Sequence, residues 1–320
     1  MADLFLCHTA YQVLIALVRA LRAGGADFVL TAGIPDAAAL GGRLQAAGAA
    51  NAVTVVDESL WPGTVSGPFA HARNRRAFEK NCGWRLNPAD YAHIYISNDW
   101  SALGRYLQDC NAPYTLCEDT VGGTLDPDQH LLDAQRAAPK GLYQYWGDAP
   151  QCQTVESEDA EQCTLFPREK LATFSKKALL ANLTEAEKAA VRRVFLTRPL
   201  PESAEGATLL LPRSFVLDGL MTQAEQDAMF QAVAAKYCEA PLFIKTHPRD
   251  ETDYAALFPG AVILERTMPG EVLNFCLPFR FKRAVTVQSW VLRGFTAAEE
   301  TVFVSLEDAK RMIALCKPSL

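Results

Sequence analysis

The chain has 320 residues, 49% apolar and 21% charged, with a formal net charge of −6 and a pI near 5.5. That length suits roughly two domains of about 150 residues, each able to bury its own core. Acids and bases are interspersed, which argues against a nucleic-acid or anionic-membrane partner, and no run of about 18 apolar residues is present to span a bilayer.

The N-terminus, MADLFLCHTAYQVLIALVRAL, is apolar but opens on an acid, and His8, Tyr11 and Gln12 interrupt it before a signal-peptide core is reached. It reads as a strand followed by a helix. The expected location is cytoplasmic, with at most peripheral contact at the inner membrane. Nine cysteines are scattered with no C-x-x-C pair, as expected of reduced thiols serving as small core residues.

In chain order, short Val-, Ile-, Phe- and Tyr-rich runs at Leu4 to Cys7, Phe28 to Thr31, Val53 to Val56, Ile94 to Ser97 and Tyr114 to Cys117 alternate with helical patterns. Between about Pro139 and Leu183 the pattern dissolves into Gln, Glu, Asp and Cys, which reads as an excursion and interdomain connection. The rhythm then returns at Thr208 to Leu211, Leu242 to Lys245, Val262 to Leu264, Ala284 to Val287 and Val302 to Val304. Alternating strands and helices predict parallel sheets with crossover helices, here two α/β domains over residues 1–180 and 181–320. Thr184 with Glu187, Thr222 with Glu225 and Ser305 with Asp308 have the spacing of helix N-terminal capping boxes.

No G-x-G-x-x-G follows the first strand and no G-x-x-x-x-G-K-[ST] occurs, so a nucleotide would be held by other means. The run Leu242-Phe-Ile-Lys245-Thr246-His247-Pro248-Arg249-Asp250 ends a strand on a histidine. In open parallel sheets ligands bind beyond the carboxyl ends of strands. His247 is therefore a candidate for stabilising a phosphate leaving group, with Lys245 and Arg249 setting the potential; the alternative is a surface histidine beside a turn proline. Asp218-Gly219 follows the preceding strand and leads into the helix before the histidine strand. Asp218 can thus share an edge with His247 and serve as general base, or simply form an Asp-Gly turn. Glu118-Asp119-Thr120, followed by Val121 and two glycines, could meet sugar hydroxyls or be a solvated loop. Gln288-Ser289 precedes a predicted helix from Trp290 to Phe295, where Ser289 is either a phosphate ligand at a helix N-terminus or an ordinary N-cap.

Taken in order, Cys7-His8-Thr9-Ala10-Tyr11-Gln12, Glu118-Asp119, Asp218-Gly219, Lys245-Thr246-His247-Pro248-Arg249-Asp250, Pro269-Gly270-Glu271 and Gln288-Ser289 resemble glycosyltransferase family 52, the lipooligosaccharide sialyltransferases. The resemblance covers nearly the whole chain. It implies a GT-B-like fold, two Rossmann-like domains with parallel sheets facing across a cleft, the first on the acceptor side and the second holding the donor. It also implies CMP-sialic acid as donor, inverting transfer to a galactose-terminated surface glycan, no cofactor, no metal, and a homodimer. Residue by residue, Asp218 matches the general base and His247 the acid or phosphate hydrogen-bond donor. Gly219, Lys245, Pro248, Arg249, Glu271, Gln288 and Ser289 fall on the donor side, with Glu271 where a carboxylate would receive the ribose hydroxyls. His8, Thr9, Gln12, Glu118 and Asp119 fall on the acceptor side. Thr246 stands where the family has proline, Thr120 where it has glycine, and Gln288-Ser289 replaces a Ser-Ser-Thr-like run. These departures keep two alternatives open: a transferase of the same fold using another nucleotide sugar or extending a polysialic-type polymer, and a nucleotide- or glycan-binding protein without turnover.

Overall fold

The computed structural model describes residues 1–119, 142–201, 203–292 and 294–316, and they fall into two compact units, Met1–Val194 and Phe195–Leu320. Unit 1 carries strands β1 (Ala2–Cys7), β2 (Ala26–Thr31), β3 (Ala50–Val56), β4 (Tyr91–Ile96), β5 (Tyr114–Cys117), β6 (Cys152–Ser157) and β7 (Leu171–Thr173). Its helices are α1 (Ala10–Ala23), α2 (Ala37–Ala46), α3 (Ala70–Cys82), α4 (Ala102–Asp109), α5 (Lys176–Ala181) and α6 (Glu185–Phe195), the last ending one residue into unit 2. Unit 2 carries β8 (Thr208–Leu211), β9 (Leu242–Lys245), β10 (Val262–Leu264), β11 (Phe281–Val287) and β12 (Ala298–Val304). Its helices are α7 (Gln223–Tyr237), α8 (Tyr254–Leu257), α9 (Leu273–Cys276) and α10 (Leu306–Cys316). No described helix is long and apolar enough to cross a membrane.

The seven strands of unit 1 lie in the order β3-β2-β1-β4-β5-β6-β7 and the five of unit 2 in the order β10-β9-β8-β11-β12; every pairing is parallel. Both are Rossmann-like sheets that reverse direction at one place, between β1 and β4 and between β8 and β11, where such sheets open a crevice at their carboxyl ends. The apolar runs become the sheet interiors because a parallel strand covered on both faces has no polar side: all four residues of β8 are buried.

The polar stretch read as a connection contains β6 and β7, which complete the unit 1 sheet. Their residues, Cys-Gln-Thr-Val-Glu-Ser and Leu-Ala-Thr, bury few side chains. Burial is what makes a strand visible in sequence, so these left no apolar run. The units also divide after Val194 rather than at residue 180. The Thr184–Glu187 capping box starts α6, and Arg22 of α1 grips Glu187 at 2.6 Å, pulling its carboxyl down to about 2. Arg43 of α2 donates to the Val194 carbonyl at 2.5 Å. These bonds hold α6 to unit 1.

Helix ends follow their capping chemistry. The Thr9 hydroxyl accepts from the Gln12 amide at 3.2 Å and starts α1 where β1 ends. The Thr222–Glu225 box starts α7, and the Ser305 hydroxyl accepts from the Asp308 amide at 3.0 Å at the head of α10. Such caps are each worth about 0.5–2 kcal/mol. In unit 2, Phe230 of α7 packs edge-on against Tyr254 with centroids 6.0 Å apart, and both are buried beneath β8 and β9 with Leu210 and Ile244.

Candidate functional site

The reversal between β8 and β11 gathers most of the predicted donor-side residues at one edge of unit 2. The loop leaving β8 is shaped by Gln226 of α7, fully buried, whose Oε1 accepts from the Phe215 and Val216 amides at 2.7 and 3.2 Å. Gly219, at a φ of 68°, lets the chain double back so that the Leu220 amide reaches the Phe215 carbonyl at 2.9 Å; a left-handed residue there favours glycine. Asp218 is carried at the exposed tip of this turn.

Arg213, in the same loop, ties the edge together. One terminal nitrogen pairs with the Asp218 carboxylate and the other donates to the Gln288 carbonyl at 3.0 Å, bridging the loops after β8 and β11. Its guanidinium also lies 5.2 Å from the Phe215 ring centroid. The sequence reading did not single out Arg213. Its available signal was a cation two residues beyond the run Leu209-Leu210-Leu211, five residues before Asp218.

Beyond β9, adjacent to β8, stands His247. Its Nδ1 accepts the Arg249 amide at 3.2 Å, which leaves the proton of the neutral ring on Nε2. Burial pushes its pKa down, and the charges of Arg249, Lys245 and Arg213 push the same way. The ring is therefore neutral at pH 7 with a single N–H to offer. Asp250 is buried and closes the turn, accepting from the Thr252 amide at 3.1 Å and the Tyr254 hydroxyl at 2.8 Å. The Pro248 carbonyl accepts from Arg266 at 2.6 Å, and Arg249 is exposed.

Two donor-side expectations change in three dimensions. Lys245 is 5% exposed, and its ammonium donates to the Thr246 and Arg266 carbonyls at 2.6 and 3.3 Å. Burial lowers its pKa to about 7, with Glu271 the strongest opposing charge. Lys245 thus braces the turn before His247 against the segment after β10. The predicted helix from Trp290 to Phe295 is a single 3₁₀ turn, Trp290–Leu292, followed by Gly294 at a φ of 76°. Ser289 accepts the Val291 amide at 3.3 Å within that turn, so this edge lacks the aligned peptide dipoles of an α-helix N-terminus. Gln288 sits at a φ of 46°, and its side-chain oxygen accepts the Leu306 amide at 3.2 Å. Glu271 lies on the 3₁₀ turn Gly270–Val272. A side chain on Gly270 would come within 3.3 Å of Val291, so glycine lets this turn approach the same edge.

In unit 1 the predicted residues collect at the reversal between β1 and β4. The Gln12 side chain accepts the His8 amide at 2.7 Å and donates to Asp119 at 2.7 Å, joining the ends of β1 and β5 through α1. His8 Nε2 lies 3.4 Å from Glu58, whose other oxygen accepts the Leu103 amide at 2.8 Å. Thr9 acts as the N-cap of α1. Glu118 faces inward: it is 2% exposed, and its carboxylate accepts the Glu158 amide at 2.9 Å, while its carbonyl takes the buried Lys176 ammonium. Asp119 is the exposed member of the pair; Thr120 lies outside the described residues. The cavity at this edge, lined by Gln12, Tyr95, Glu118 and Lys176 among others, measures about 30 Å³. That is room for little more than water.

The two parallel sheets, each with its crevice-forming reversal, define a GT-B-like fold of two Rossmann-like units. A UDP-GlcNAc 2-epimerase of Neisseria meningitidis, solved with UDP-GlcNAc, superposes with a TM-score of 0.50 at 10% identity, over 91% of this chain and 79% of that one. A protein of Listeria monocytogenes described as a UDP-N-acetylglucosamine 2-epimerase gives a TM-score of 0.52 at 11% identity, over 91% and 75%. An α/β-galactoside α-2,3-sialyltransferase of Photobacterium phosphoreum gives 0.49 at 9% identity, over 98% and 94%. At these identities the likeness is one of fold. In sequence, an uncharacterized protein of Haemophilus influenzae is 34% identical over 88 residues, 25% of this chain. The match spans 28% of that relative's length. No family model matches the chain.

Proposed function

We propose that the chain is an inverting, metal-independent glycosyltransferase that moves sialic acid from CMP-sialic acid to a galactose-terminated surface glycan. The observation that carries this reading is the arrangement at the carboxyl edge of the unit 2 sheet: the Arg213 guanidinium paired with the Asp218 carboxylate after β8, and the His247 imidazole N–H after β9, in the field of Arg249 and Arg213. The nearby ammonium of Lys245 is already engaged by backbone carbonyls. Guanidinium charge beside a neutral N–H donor suits a phosphate, the leaving group of a nucleoside-monophosphate sugar. In the proposed reaction the acceptor hydroxyl oxygen forms the new bond to the anomeric carbon as the carbon–oxygen bond to CMP breaks. Asp218 takes the hydroxyl proton, and His247 Nε2–H stabilises the departing phosphate. The ion pair with Arg213 must open for Asp218 to act as base, and an arriving phosphate competes for that guanidinium.

The test is acceptor-dependent CMP release from CMP-sialic acid, with lactose as acceptor and EDTA present, in the parent chain and in Asp218→Ala and His247→Ala. Release that is lost in both folded variants supports the reading; a parent chain that neither binds nor turns over CMP-sialic acid sinks the donor assignment. Two observations favour second readings. The 3₁₀ turn after Ser289, in place of a helix N-terminus, favours a different nucleotide sugar, which a donor panel separates. The ion-paired Asp218 favours a nucleotide-binding protein without turnover, which would bind CMP and release no product.

A further inference from the structure

The formal charge of the chain is −6, yet residues 61–86 carry five cations, Arg73, Arg75, Arg76, Lys80 and Arg85, against one acid, Glu79. Whole-chain charge argued against an anionic membrane; α3 reverses that balance locally. Ala70, Asn74, Phe78 and Cys82 recur every four residues and are the buried positions of α3, so Arg73, Arg76 and Lys80, three and four residues apart, share the opposite, exposed face. Glu79 is engaged elsewhere: it accepts the Tyr106 hydroxyl and Arg85 Nε, both at 3.1 Å, and lies 3.9 Å from Arg75. Among the described residues no acidic side chain pairs with Arg73, Arg76 or Lys80. The helix dipole favours acids in the first turn, and α3 has none there, so helix stability does not account for the cation Arg73 one turn in. At the head of this face the chain also exposes apolar side chains, Phe69 at 84% and Val65 at 48%. The turn that carries them is pinned: buried Asn74 accepts the Val65 amide at 2.9 Å and donates to the Val65 carbonyl at 3.1 Å, and Arg73 donates to the Ser66 carbonyl at 2.6 Å. Phe69 has a φ of 59°, a left-handed backbone that a bulky residue seldom adopts, and the fold nonetheless keeps its ring in solvent.

We infer that α3 and the turn ahead of it dock on an anionic lipid surface, with Arg73, Arg76 and Lys80 among the headgroups and Phe69 entering the boundary with the acyl chains. Charge complementarity fixes the sign of the partner, since clustered cations are drawn to a leaflet of anionic lipid. The exposed ring distinguishes lipid from nucleic acid, whose phosphate backbone is met by the cations alone. A single aromatic tip beside a basic stripe, rather than a groove with pockets for anchor side chains, suits a fluid interface that offers no fixed shape to match. The contact is peripheral, because α3 keeps its apolar face in the core, where Phe78 stacks on Tyr106 with centroids 4.2 Å apart. The inference goes beyond the transferase reading and does not rest on it: the lipid surface is bound whether or not CMP-sialic acid is turned over.

The full chain would be floated with vesicles of phosphatidylglycerol and phosphatidylcholine in equal parts, with vesicles of phosphatidylcholine alone, and titrated with duplex DNA. The variants are Arg76→Gln with Lys80→Gln, which removes two cations without a printed partner, and Phe69→Asn, which removes the ring while asparagine tolerates the left-handed backbone; thermal melts confirm that both fold. The expected result is binding to the anionic vesicles alone, weakened by salt and about tenfold or more weaker in the double variant, and severalfold weaker in Phe69→Asn. CMP release with soluble lactose should be the same in parent and variants, so failure of the docking surface and failure of the transferase reading are read separately. Docking is overturned if the parent floats equally with both vesicles or with neither, or if the double variant floats as well as the parent. It is also overturned if Phe69→Asn floats unchanged or the parent binds DNA as tightly as anionic vesicles, since the patch is then a general polyanion site.

Discussion

The guanidinium of Arg213 is paired with the carboxylate of Asp218, five residues ahead of it in the same loop. Through its second hydrogen bond, to Gln288, that pair spans the place where the unit 2 sheet reverses direction, the position at which open parallel sheets take their ligands.

Asp218→Asn should separate chemistry from stability. Both partners of the pair are partly exposed, with side-chain exposures of 35% and 33%, so its loss should change unfolding free energy by less than about 1 kcal/mol. Removing a general base lowers kcat/KM by about 10²–10⁴. Acceptor-dependent CMP release, measured beside a thermal melt, checks both halves; equal activity in the variant would remove Asp218 from the mechanism.

Arg213→Ala should weaken binding of CMP and leave that of cytidine unchanged, because the guanidinium is expected to meet phosphate and not the nucleoside. A lost charge-assisted hydrogen bond corresponds to about 10- to 100-fold in affinity. Calorimetric titration of the two ligands is the measurement. An equal loss for both would mean that the substitution disturbs the loop.

Lys245 makes stability depend on pH. Its pKa is about 7 in the folded chain against about 10.4 when unfolded. Between those values the unfolded chain binds the extra proton, so stability rises with pH, and below about 7 the cost of the buried charge is fully present. The urea midpoint should therefore rise from pH 7 to pH 9.5 more steeply in the parent than in Lys245→Met. Parallel pH profiles would show that Lys245 keeps its proton.

Two glycines in unit 1 helices should respond oppositely to alanine. A side chain on Gly104 would collide with the Asp99 backbone, whereas one on Gly42 of α2 meets nothing within 4 Å. Gly104→Ala should cost about 1–3 kcal/mol or more, and Gly42→Ala should stabilise by about 0.5–1 kcal/mol. Urea denaturation of both reads the difference, and a neutral Gly104→Ala would mean that α4 and the Asp99 turn can move apart.

The sequence by itself determined the elements whose formation depends on neighbours along the chain. Leu242 to Lys245 and Thr208 to Leu211 are strands at those limits, and Thr184, Thr222 and Ser305 start helices, because burial periodicity and capping act over a few residues. Asp218 and His247 could be assigned to one edge because consecutive parallel strands end on the same side. Tertiary structure decided what depends on partners distant in sequence. Strand β6 exists because β5 offers an open edge to its backbone, and β7 because β6 offers the next, not because their side chains are apolar. Lys245 and Glu118 became buried braces because carbonyls and amides from other segments surround them. Arg213 joined the site because sheet order places Gln288, 75 residues away, beside it. Sheet order and register create such pairings, and no local pattern in the chain records them.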